Sequence, residues 1–486
     1  MKLSSMRIAA AGVLTAVSCY AGAGEATVKI KALNLDGREL KYHRTYNGVY
    51  LTTFTPIELD ADSTYTLTIP AEGVERMMLM ATDPADKLDG VFKSFYVLPG
   101  ITEITVNPFA EDKAAVRPPS GNSLDGDAAQ TADKIYDISF DLSIGGHDAL
   151  GLWADTIPAV ASAKLDAYAD SLVSAYAGAT PAIREAMERD VRLEALMVFI
   201  QCDNRTKGKP YEAVWHKELS RLRDRIGLAD TGNARNPFFA SQIANDFFYK
   251  DNFPDRNLPD ISPDSMLSMK MDYFMRAMPG KTAEAAIGTM LYNDGETGIF
   301  TPGVPALTER FKTLFPASGL IPLLERKAAE NLAFNHPEAS DEIVFLDNSS
   351  IKTLADLLAP YKGTPVLIDL WATWCRPCRK SFSHVEPVQE YAAENGVQLL
   401  YLSIDEQSGI EPQWKRMAQF YKLKGHHMLI NPDIKREIYS TFGKNGQLVT
   451  PLYAIVDRDG NISICPQKLS ESADFAPLRT LLDKAK

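Results

Sequence analysis

The sequence predicts a multidomain α+β protein with a β-sandwich-like N-terminal domain, a central helical domain and a C-terminal α/β domain. At 486 residues the chain exceeds the roughly 100–200 residues of one typical domain, so more than one core is expected. Alternating segments come first, then helical segments, then strands mixed with helices. We place the domains at 24–115, 128–335 and 336–486, after a leader at 1–23.

Composition argues against one broad class of partner. The net charge is −12, from 51 basic and 63 acidic residues, which disfavours a general nucleic-acid-binding surface. The hydrophobic fraction of 45% and the charged fraction of 23% are ordinary for a globular protein. We therefore expect no nucleic acid partner.

The N-terminus has the pattern of a secretory signal peptide. Lys2 and Arg7 precede the apolar run 8–17, which is much shorter than the roughly 18 residues of a membrane span. Small residues at 21–23 offer a cleavage site, so we expect export to the periplasm or cell envelope. The stretch AVSC, which ends at Cys19, loosely resembles a lipobox, so a lipid anchor at Cys19 stays open as an alternative.

The predicted N-terminal domain consists of short strands separated by turn-forming residues. The strand-like runs are ATVKIKAL, LTTF, TYTLTI, RMMLMA and TEITV, and the turn-forming runs are NLDG, DADS and PAEG. This pattern favours a small antiparallel sandwich. The Pro-, Gly- and Ser-rich segment 116–127 is predicted to be a linker.

The central part has the periodicity of helices. The clearest helix begins after Thr180, with Pro181 in its first turn. Ile183, Met187 and Val191 recur at four-residue spacing and form one apolar stripe. Two further stretches, VASAKLDAYADSLVSAYAG and LIPLLERKAAENLAF, have the same character.

After residue 340 strands and helices alternate, which predicts an α/β sheet with mixed strand directions. A hairpin of DEIVFLD and SIKTL is expected first, then a short helix in LADLLAPY. The later strands are PVLIDLW, VQLLYLSID, HMLI, PLYAIVD and ISIC, and the helices are RPCRKSFSHVEPVQEYAAEN, EPQWKRMAQFYKLKG, PDIKREIYSTFG and FAPLRTLLDKAK. Near-continuous apolar strands are typical of a sheet buried on both faces.

The Cys-x-x-Cys pair Cys375–Cys378 has three interpretations: a metal site, a structural staple or an electron-exchanging dithiol. A zinc site needs further ligands at short spacing, and no second pair is present. A staple across so small a loop gains little chain entropy. Electron exchange remains, and neither a metal nor a cofactor is expected. Cys202 and Cys465 are predicted to be buried thiols, and a bridge between them stays open.

The stretches LIDLWATWCRPCRK and LVTPLYAIVDRDGNI resemble the thioredoxin fold and, within it, the TlpA/ResA-like thiol-disulfide oxidoreductases of the bacterial envelope. The resemblance covers roughly 340–486. It implies a thioredoxin-like domain that exchanges its dithiol or disulfide with cysteine-containing envelope proteins and with an upstream redox partner. Apocytochromes c are the best-known substrates of that family, so cytochrome c maturation is one expected setting.

The two cysteines are predicted to have unequal roles. Cys375 follows a strand where a helix begins, so unpaired N–H groups and the helix dipole lower its thiol pKa from about 8.5 into the range 3.5–7.5. Arg376 adds positive charge, and Pro377 suits the first helical turn. Cys378 lies one turn further in and less exposed, and Trp374 is expected to frame the substrate site.

By the same resemblance, Asp369 is a buried acid that passes protons to and from Cys378. A strand-end Asp bonded to backbone is the alternative. Thr450–Pro451 occupies the position of a cis proline that presents the Thr450 backbone to an incoming peptide. Trp371 either frames the site or belongs to the core.

Two positions depart from the family pattern. Ser381 stands where many relatives carry an acid three residues after the second cysteine. Ser383 stands where the family usually has a helix proline, and Pro387 comes later. We expect any helix kink to shift toward the middle of the helix.

Two rival functions are weighed. A thiol peroxidase shares the fold but needs a P-x-x-x-T/S-x-x-C setting, which is not found in the sequence. An envelope ligand- or protein-binding protein would use 25–335, with the aromatic segment 236–250 lining a groove and the thioredoxin-like domain passive. The intact Cys-x-Pro-Cys motif with Asp369 and Pro451 argues against passivity.

Overall fold

A computed structural model describes most of residues 24–117, scattered positions between 158 and 174, and most of residues 181–485. The gaps inside these ranges are 47–48, 51–54, 72–73, 84–89, 111–112, 211, 237–238, 256, 296–297, 299, 445–446 and 466–474. The predicted leader, with Cys19, and most of the predicted linker and of the helix VASAKLDAYADSLVSAYAG lie outside the described residues. Within the described part, no helix combines the length and apolar character that a membrane span requires.

The chain divides into two compact units. The first contains Met1–Tyr292 and Ala317–Leu320, and the second contains Asn293–Pro316 and Ile321–Lys486. The second unit therefore begins well before residue 336, where the sequence analysis places the start of the C-terminal domain. The predicted boundaries of the β-rich and helical domains stay predictions.

The first unit combines two β-sheets with a set of helices. Its strands are β1 (Gly24–Ala32), β2 (Glu39–Tyr46), β3 (Val49–Tyr50), β4 (Thr55–Pro56), β5 (Thr64–Ala71), β6 (Glu75–Thr82), β7 (Gly90–Val97), β8 (Gly100–Val106) and β9 (Ala114–Arg117). Its helices are α1 (Pro181–Arg205), α2 (Glu212–Ile226), α3 (Ala244–Asn252), α4 (Pro263–Ala277) and α5 (Lys281–Tyr292), with shorter turns at Thr231–Arg235 and Phe239–Ile243.

The two sheets of this unit share one hydrophobic cluster. One sheet has the order β5-β1-β8-β9, and the other has β3-β2-β6-β7 with β4 beside β2. Alternate residues of β1, such as Val28 and Ile30, are buried in the same cluster as Met77 and Leu79 of β6. The prediction of purely antiparallel pairing is wrong for one pair, because β1 and β8 run parallel.

A buried polar network joins β6 and β7 to α1 within this unit. The Arg76 guanidinium is paired with the Glu194 carboxylate and lies 3.6 Å from Asp190. The Tyr96 hydroxyl donates to Asp190 at 2.9 Å, and so does the Asn236 side-chain amide, also at 2.9 Å. Breaking such a pair leaves an uncompensated buried charge, so these contacts tie the sheet and the helix together.

The second unit is built around a six-stranded sheet. Its elements are α6 (Val304–Leu314), α7 (Ile321–Asn335), β10 (Ile343–Phe345), α8 (Leu354–Leu358), β11 (Val366–Trp371), α9 (Arg376–Phe382), α10 (Glu386–Asn395), β12 (Gln398–Ser403), α11 (Glu411–Phe420), β13 (Gly425–Leu429), α12 (Pro432–Phe442), β14 (Leu452–Val456), β15 (Ile462–Cys465) and α13 (Ala476–Ala485). The strand order is β10-β13-β12-β11-β14-β15.

The strand directions of this sheet are mixed, as predicted. β10, β13, β12 and β11 pair in parallel, whereas β14 is antiparallel to both β11 and β15. Every residue of β11 is buried, which its continuous apolar run predicts. The adjacent histidines of β13 differ in burial, because His427 is buried and His426 is half-buried.

Two local predictions for this unit are wrong. The segment SIKTL forms no second hairpin strand: Thr353 caps α8 through a capping box with Asp356, and β10 pairs with β13 instead. The long helix predicted after Cys375 is two helices, because α9 ends at Phe382 and α10 begins at Glu386. Pro387 lies in the first turn of α10, where its missing N–H costs nothing.

Residues that precede the predicted domain start complete the core of the second unit. The ring of Phe300 stacks on Phe334 of α7, with 4.0 Å between ring centroids. Both rings also contact Phe420 of α11, and both are buried in the cluster that contains the central sheet. Segment 293–335 therefore covers one part of this hydrophobic core.

Candidate thiol-disulfide site

Cys375 and Cys378 are joined by a disulfide at the beginning of α9. Cys375 is the N-cap residue of this helix, and its Sγ accepts the backbone N–H of Cys378 at 3.2 Å. The helix therefore presents its positive end to the sulfur of Cys375. This surrounding favours the thiolate form of Cys375 once the disulfide is reduced.

The residues around the disulfide form an exposed rim over nearly buried sulfurs. Trp374 is 50% exposed, whereas Cys375 is 3% exposed and Cys378 is fully buried. Arg376 and Pro377 are exposed in the first turn of α9. Cys375 is thus the more accessible of the two cysteines, although the difference is small in the disulfide form.

Asp369 lies on β11, in the middle of the sheet. It is 5% exposed, and its paired neighbours are Tyr401 on β12 and Tyr453 on β14. A cavity of about 10 Å³, lined by Asp369, both tyrosines and Ser381 of α9, lies between the sheet and the helix. That volume suffices for about one water molecule.

The surroundings of Asp369 favour its protonated form. Burial raises the pKa of Asp369 to about 8, because the low-dielectric interior disfavours the charged carboxylate. Its Oδ1 atom has no hydrogen-bond partner among the described residues, so nothing at that atom offsets the burial. A carboxyl group with this pKa can take up or release a proton near neutral pH.

Ser381 connects the cavity to the second cysteine. Its hydroxyl donates to the carbonyl oxygen of Cys378 at 2.8 Å. The cavity beside Asp369 therefore lies within one helical turn of Cys378. Trp371 is fully buried and packs edge-to-face on Phe382, with ring centroids 5.2 Å apart, so it belongs to the core.

The Thr450–Pro451 peptide bond is cis. Leu452 pairs with Leu370, and continuing this register places Pro451 opposite Trp371, at the end of β11 that leads to Cys375. Pro451 is buried and Thr450 is half-buried. The structure thus brings this dipeptide to the edge of the sheet that carries the disulfide.

Asp405 supports the loop before Cys375 and was not singled out by the sequence analysis. Its carboxylate, 2% exposed, accepts the Thr373 backbone N–H and hydroxyl at 2.8 Å each. It also accepts the Ser403 hydroxyl at 2.6 Å. A signal was available, because Asp405 follows a buried strand that neighbours β11, and parallel strands end at one edge of the sheet.

Cys465 lies outside the disulfide site. Cys465 is a buried free thiol at the end of β15, so it forms no disulfide. The side chain of Cys202 is outside the described residues. Among the residues that the structure describes, no cluster of His, Cys, Asp and Glu could hold a metal ion.

A family model named Redoxin matches residues 336–468. This range includes the disulfide, Asp369 and the cis proline. Residues 336–468 form a Redoxin domain. The matched range starts after α7, so it leaves out the segment that carries Phe300 and Phe334.

Curated relatives resemble the Redoxin domain of this chain. The thiol-disulfide oxidoreductase ResA of Bacillus thuringiensis subsp. konkukian is 29% identical over 105 residues, which are 22% of this chain and 56% of the relative. A thioredoxin of Mycolicibacterium smegmatis is 47% identical over 56 residues, which are 11% of this chain and 46% of the relative. The chain thus spans about half the length of the curated relatives it matches.

Several solved structures match about a quarter of the chain. A thiol:disulfide interchange protein from Chlorobium tepidum TLS has a TM-score of 0.23 and 23% identity, and the match covers 26% of this chain and 83% of that one. A putative thiol-disulfide oxidoreductase from Bacteroides vulgatus has a TM-score of 0.20 and 28% identity, with coverage of 26% and 75%. The assignment of the domain rests on the Redoxin match and on the sheet topology.

Proposed function

We propose that the chain is an exported thiol-disulfide oxidoreductase whose Redoxin domain exchanges electrons through Cys375 and Cys378. The observation that carries this proposal is the disulfide at the N-terminus of α9, directly after the strand that carries the buried Asp369. Helix-end stabilisation of one sulfur favours the attacking thiolate, and a carboxyl group that can exchange protons near neutral pH suits the deprotonation of the second thiol.

The exchange proceeds in two steps, formation of a mixed disulfide and its resolution. The Cys375 thiolate attacks one sulfur of a partner disulfide, which breaks that bond and forms a mixed disulfide between Cys375 and the partner. Asp369 in its carboxylate form, which its pKa of about 8 makes accessible near neutral pH, then accepts the proton of Cys378, and the Cys378 sulfur attacks Cys375. The mixed disulfide breaks, and the two partner sulfurs take up one proton that returns from Asp369 and one from water. The partner leaves as a dithiol, and the two electrons of the Cys375–Cys378 pair have been transferred. The reverse sequence oxidises a partner.

An exposed apolar rim supports recognition of an extended peptide. Trp374 is 50% exposed and Val449 is 61% exposed, and Val449 precedes the half-buried Thr450. An unfolded segment that carries a cysteine can place apolar side chains on this rim and pair with the Thr450 backbone. The proposed partners are cysteine-containing envelope proteins, including those of cytochrome c maturation, and an upstream redox partner.

Export and partner selection complete the proposal. The N-terminal leader supports export to the periplasm or cell envelope, with Cys19 as the site of a lipid anchor in the alternative form. We assign partner selection to a β-sandwich at 24–115 and to a helical domain that begins near residue 128 and ends near residue 292, where the first unit gives way to the second. The two sheets, which share one hydrophobic cluster, support the presence of a β-sandwich in this region.

Reduction of insulin in the presence of dithiothreitol tests the proposed activity in the full chain. The wild-type protein is expected to accelerate insulin precipitation at least tenfold over dithiothreitol alone. Cys375→Ser should abolish the acceleration, whereas Cys465→Ala, which changes a buried thiol outside the site, should retain it. A wild-type rate equal to the dithiothreitol background would contradict the proposal.

Ligand binding by the first unit is a second candidate function. A cavity of about 460 Å³ between α2, α3 and the following loop is lined by aromatic residues such as Phe247, Tyr249 and Phe253. The charged side chains that line it already have partners, as in the Arg223–Asp251 pair. If the chain were only a binding protein, Cys375→Ser would change no activity of the full chain.

A further inference from the structure

A glycine from outside the Redoxin domain touches the loop that carries Cys375. Gly298 has a φ of +85°, and a Cβ atom built there would lie 2.3 Å from the carbonyl oxygen of Thr373. Any side chain at this position therefore collides with backbone rather than with a movable side chain. Thr373 stands two residues before Cys375, so the contact is made at the base of the active-site loop.

A second contact reaches the helix on the other side of the disulfide. Arg379 directly follows Cys378 in α9 and is 8% exposed. Its Nη1 atom donates a hydrogen bond to the carbonyl oxygen of Gly295. The same short segment therefore contacts chain on both sides of the Cys-x-x-Cys motif.

The segment is itself fixed to the helices of its unit. The side-chain amide of Gln413 on α11 donates to the Gly298 carbonyl at 2.6 Å. The Asp294 carboxylate accepts the Thr301 backbone N–H at 2.9 Å and the Asn331 amide at 2.8 Å. These bonds attach Gly298 to α11 and Asp294 to α7.

We propose that Gly295 and Gly298 form a positioning element for the thiol-disulfide site, with Gly298 and Arg379 as positioning residues. The backbone N–H of Thr373 is bonded to Asp405, and the carbonyl oxygen of Thr373 lies closely against Gly298, with no room for a side chain between them. In this proposal, these two contacts fix the position at which α9 begins. The redox equilibrium of the cysteines then depends on residues that precede the Redoxin domain.

The physical link runs through the hydrogen bond between the Cys378 N–H and the Cys375 sulfur. Its length sets how strongly the helix terminus stabilises a thiolate at Cys375. A shift of the Thr373 carbonyl moves the N-cap and alters that bond. The proposal deepens the proposed function and rests on it.

The full-length Gly298→Ala variant tests the first contact, with Gly363→Ala as a matched control. Gly363 has a φ of +76° in the same unit, and a Cβ there meets nothing within 4 Å. Both variants carry the same backbone strain, but only Gly298→Ala displaces Thr373. The equilibrium constant between the Cys375–Cys378 disulfide and glutathione should change at least threefold in Gly298→Ala and less than 1.5-fold in Gly363→Ala.

Arg379→Met and Arg379→Lys test the second contact without changing the backbone. Arg379→Met removes the donor to Gly295 and should shift the glutathione equilibrium constant at least threefold. Arg379→Lys keeps a donor of similar reach and should restore at least half of that shift on a logarithmic scale. Urea unfolding of each variant reports whether stability alone has changed, and this pair decides the matter if Gly298→Ala does not fold.

Glutathione equilibrium constants within 1.5-fold of wild type in both Gly298→Ala and Arg379→Met would overturn the positioning role. Equal shifts in Gly298→Ala and Gly363→Ala would also overturn it, because backbone strain would then be the cause. Failure of the proposed function can be distinguished from failure of the positioning role. A wild-type chain that exchanges with no protein disulfide still has a measurable equilibrium with glutathione.

Discussion

At the scale of single residues, the chemistry depends on the unequal surroundings of two cysteines. Cys375 caps α9 and accepts an N–H bond at its sulfur, beside the exposed Trp374 and Arg376. Cys378 is fully buried and lies within one helical turn of the cavity that Asp369 lines. This asymmetry supports Cys375 as the attacking sulfur and Cys378 as the resolving one.

The thiol pKa of Cys375 is expected to lie below the free-thiol value of about 8.5. Thiolate absorbance near 240 nm, followed against pH in reduced Cys378→Ala protein, measures it. Arg376→Glu replaces a positive charge beside the sulfur by a negative one and should raise the midpoint. A midpoint at or above the free-thiol value would remove the nucleophile assignment.

The raised pKa of Asp369 predicts a pH-dependent stability. Its pKa is about 8 in the folded protein, against an ordinary value of 3.8 for an aspartate, so between about pH 4 and pH 8 the folded state binds more protons than the unfolded chain. The free energy of unfolding should fall as the pH rises, by at most about 1.4 kcal/mol per pH unit. Asp369→Asn should remove this slope.

Urea unfolding of the oxidised protein at several pH values measures the effect, because disulfide cysteines do not titrate. Asp459→Asn, at an exposed position of the same unit, is the control and should leave the slope as in wild type. Equal slopes in wild type and Asp369→Asn would show that this carboxyl group is not the source.

Local sequence was sufficient for some of the site residues. The positions of the disulfide, of the cis bond before Pro451 and of the buried Asp369 follow from short motifs within one strand or turn. Tyr401 and Tyr453 were missed as neighbours of Asp369, because strand register brings them together. Their separation along the chain hides that relation.

At the scale of secondary-structure elements, two errors in the predicted strands and helices lie at helix ends. The predicted hairpin strand SIKTL was lost to the capping box of α8, a local interaction that outweighs strand propensity. The helix after Cys375 breaks before Pro387, because proline is favoured in a first turn and disfavoured in a helix interior. β2 and β7 were not recognised, although both are strands of eight residues.

The loop between β11 and α9 should depend strongly on Asp405. Asp405→Ala leaves the Thr373 N–H, the Thr373 hydroxyl and the Ser403 hydroxyl without their acceptor, so it should reduce the free energy of unfolding by about 1–3 kcal/mol. Urea unfolding measures this loss. Glu406→Ala removes an exposed pair with Lys435, and solvent screening should make its effect on the free energy of unfolding much smaller than that of Asp405→Ala. Similar small losses in both variants would contradict a supporting role for Asp405.

At the scale of the whole molecule, the Redoxin domain is smaller than the unit that contains it. The predicted boundary between 128–335 and 336–486 follows from the change of pattern near residue 340, from helices to strands that alternate with helices. The stack of Phe300 on Phe334 belongs to the second core, and no periodicity reveals which core a helix will cover. Long-range packing, and not the local sequence pattern, therefore determines that the second unit begins at Asn293.

A fragment of residues 293–486 should be more stable than a fragment of residues 336–486. The shorter fragment uncovers Phe420 and the adjoining core that Phe300 and Phe334 bury. Loss of two such aromatic contacts is expected to cost several kcal/mol, since removing one buried Phe costs about 3–5 kcal/mol. Urea midpoints of the two fragments measure the difference, and equal midpoints would show that segment 293–335 adds nothing to this core.

Trapping of the mixed disulfide tests the central claim most directly. Reduced Cys378→Ser protein, mixed with insulin, keeps the attacking sulfur but cannot resolve the intermediate. It should accumulate a covalent complex, seen as a band on non-reducing gels that dithiothreitol removes, while Cys375→Ser should give none or far less. The Cys202→Ala and Cys465→Ala changes should alter neither result. A trap that forms with Cys375→Ser and not with Cys378→Ser would contradict the assignment of Cys375 as the attacking sulfur.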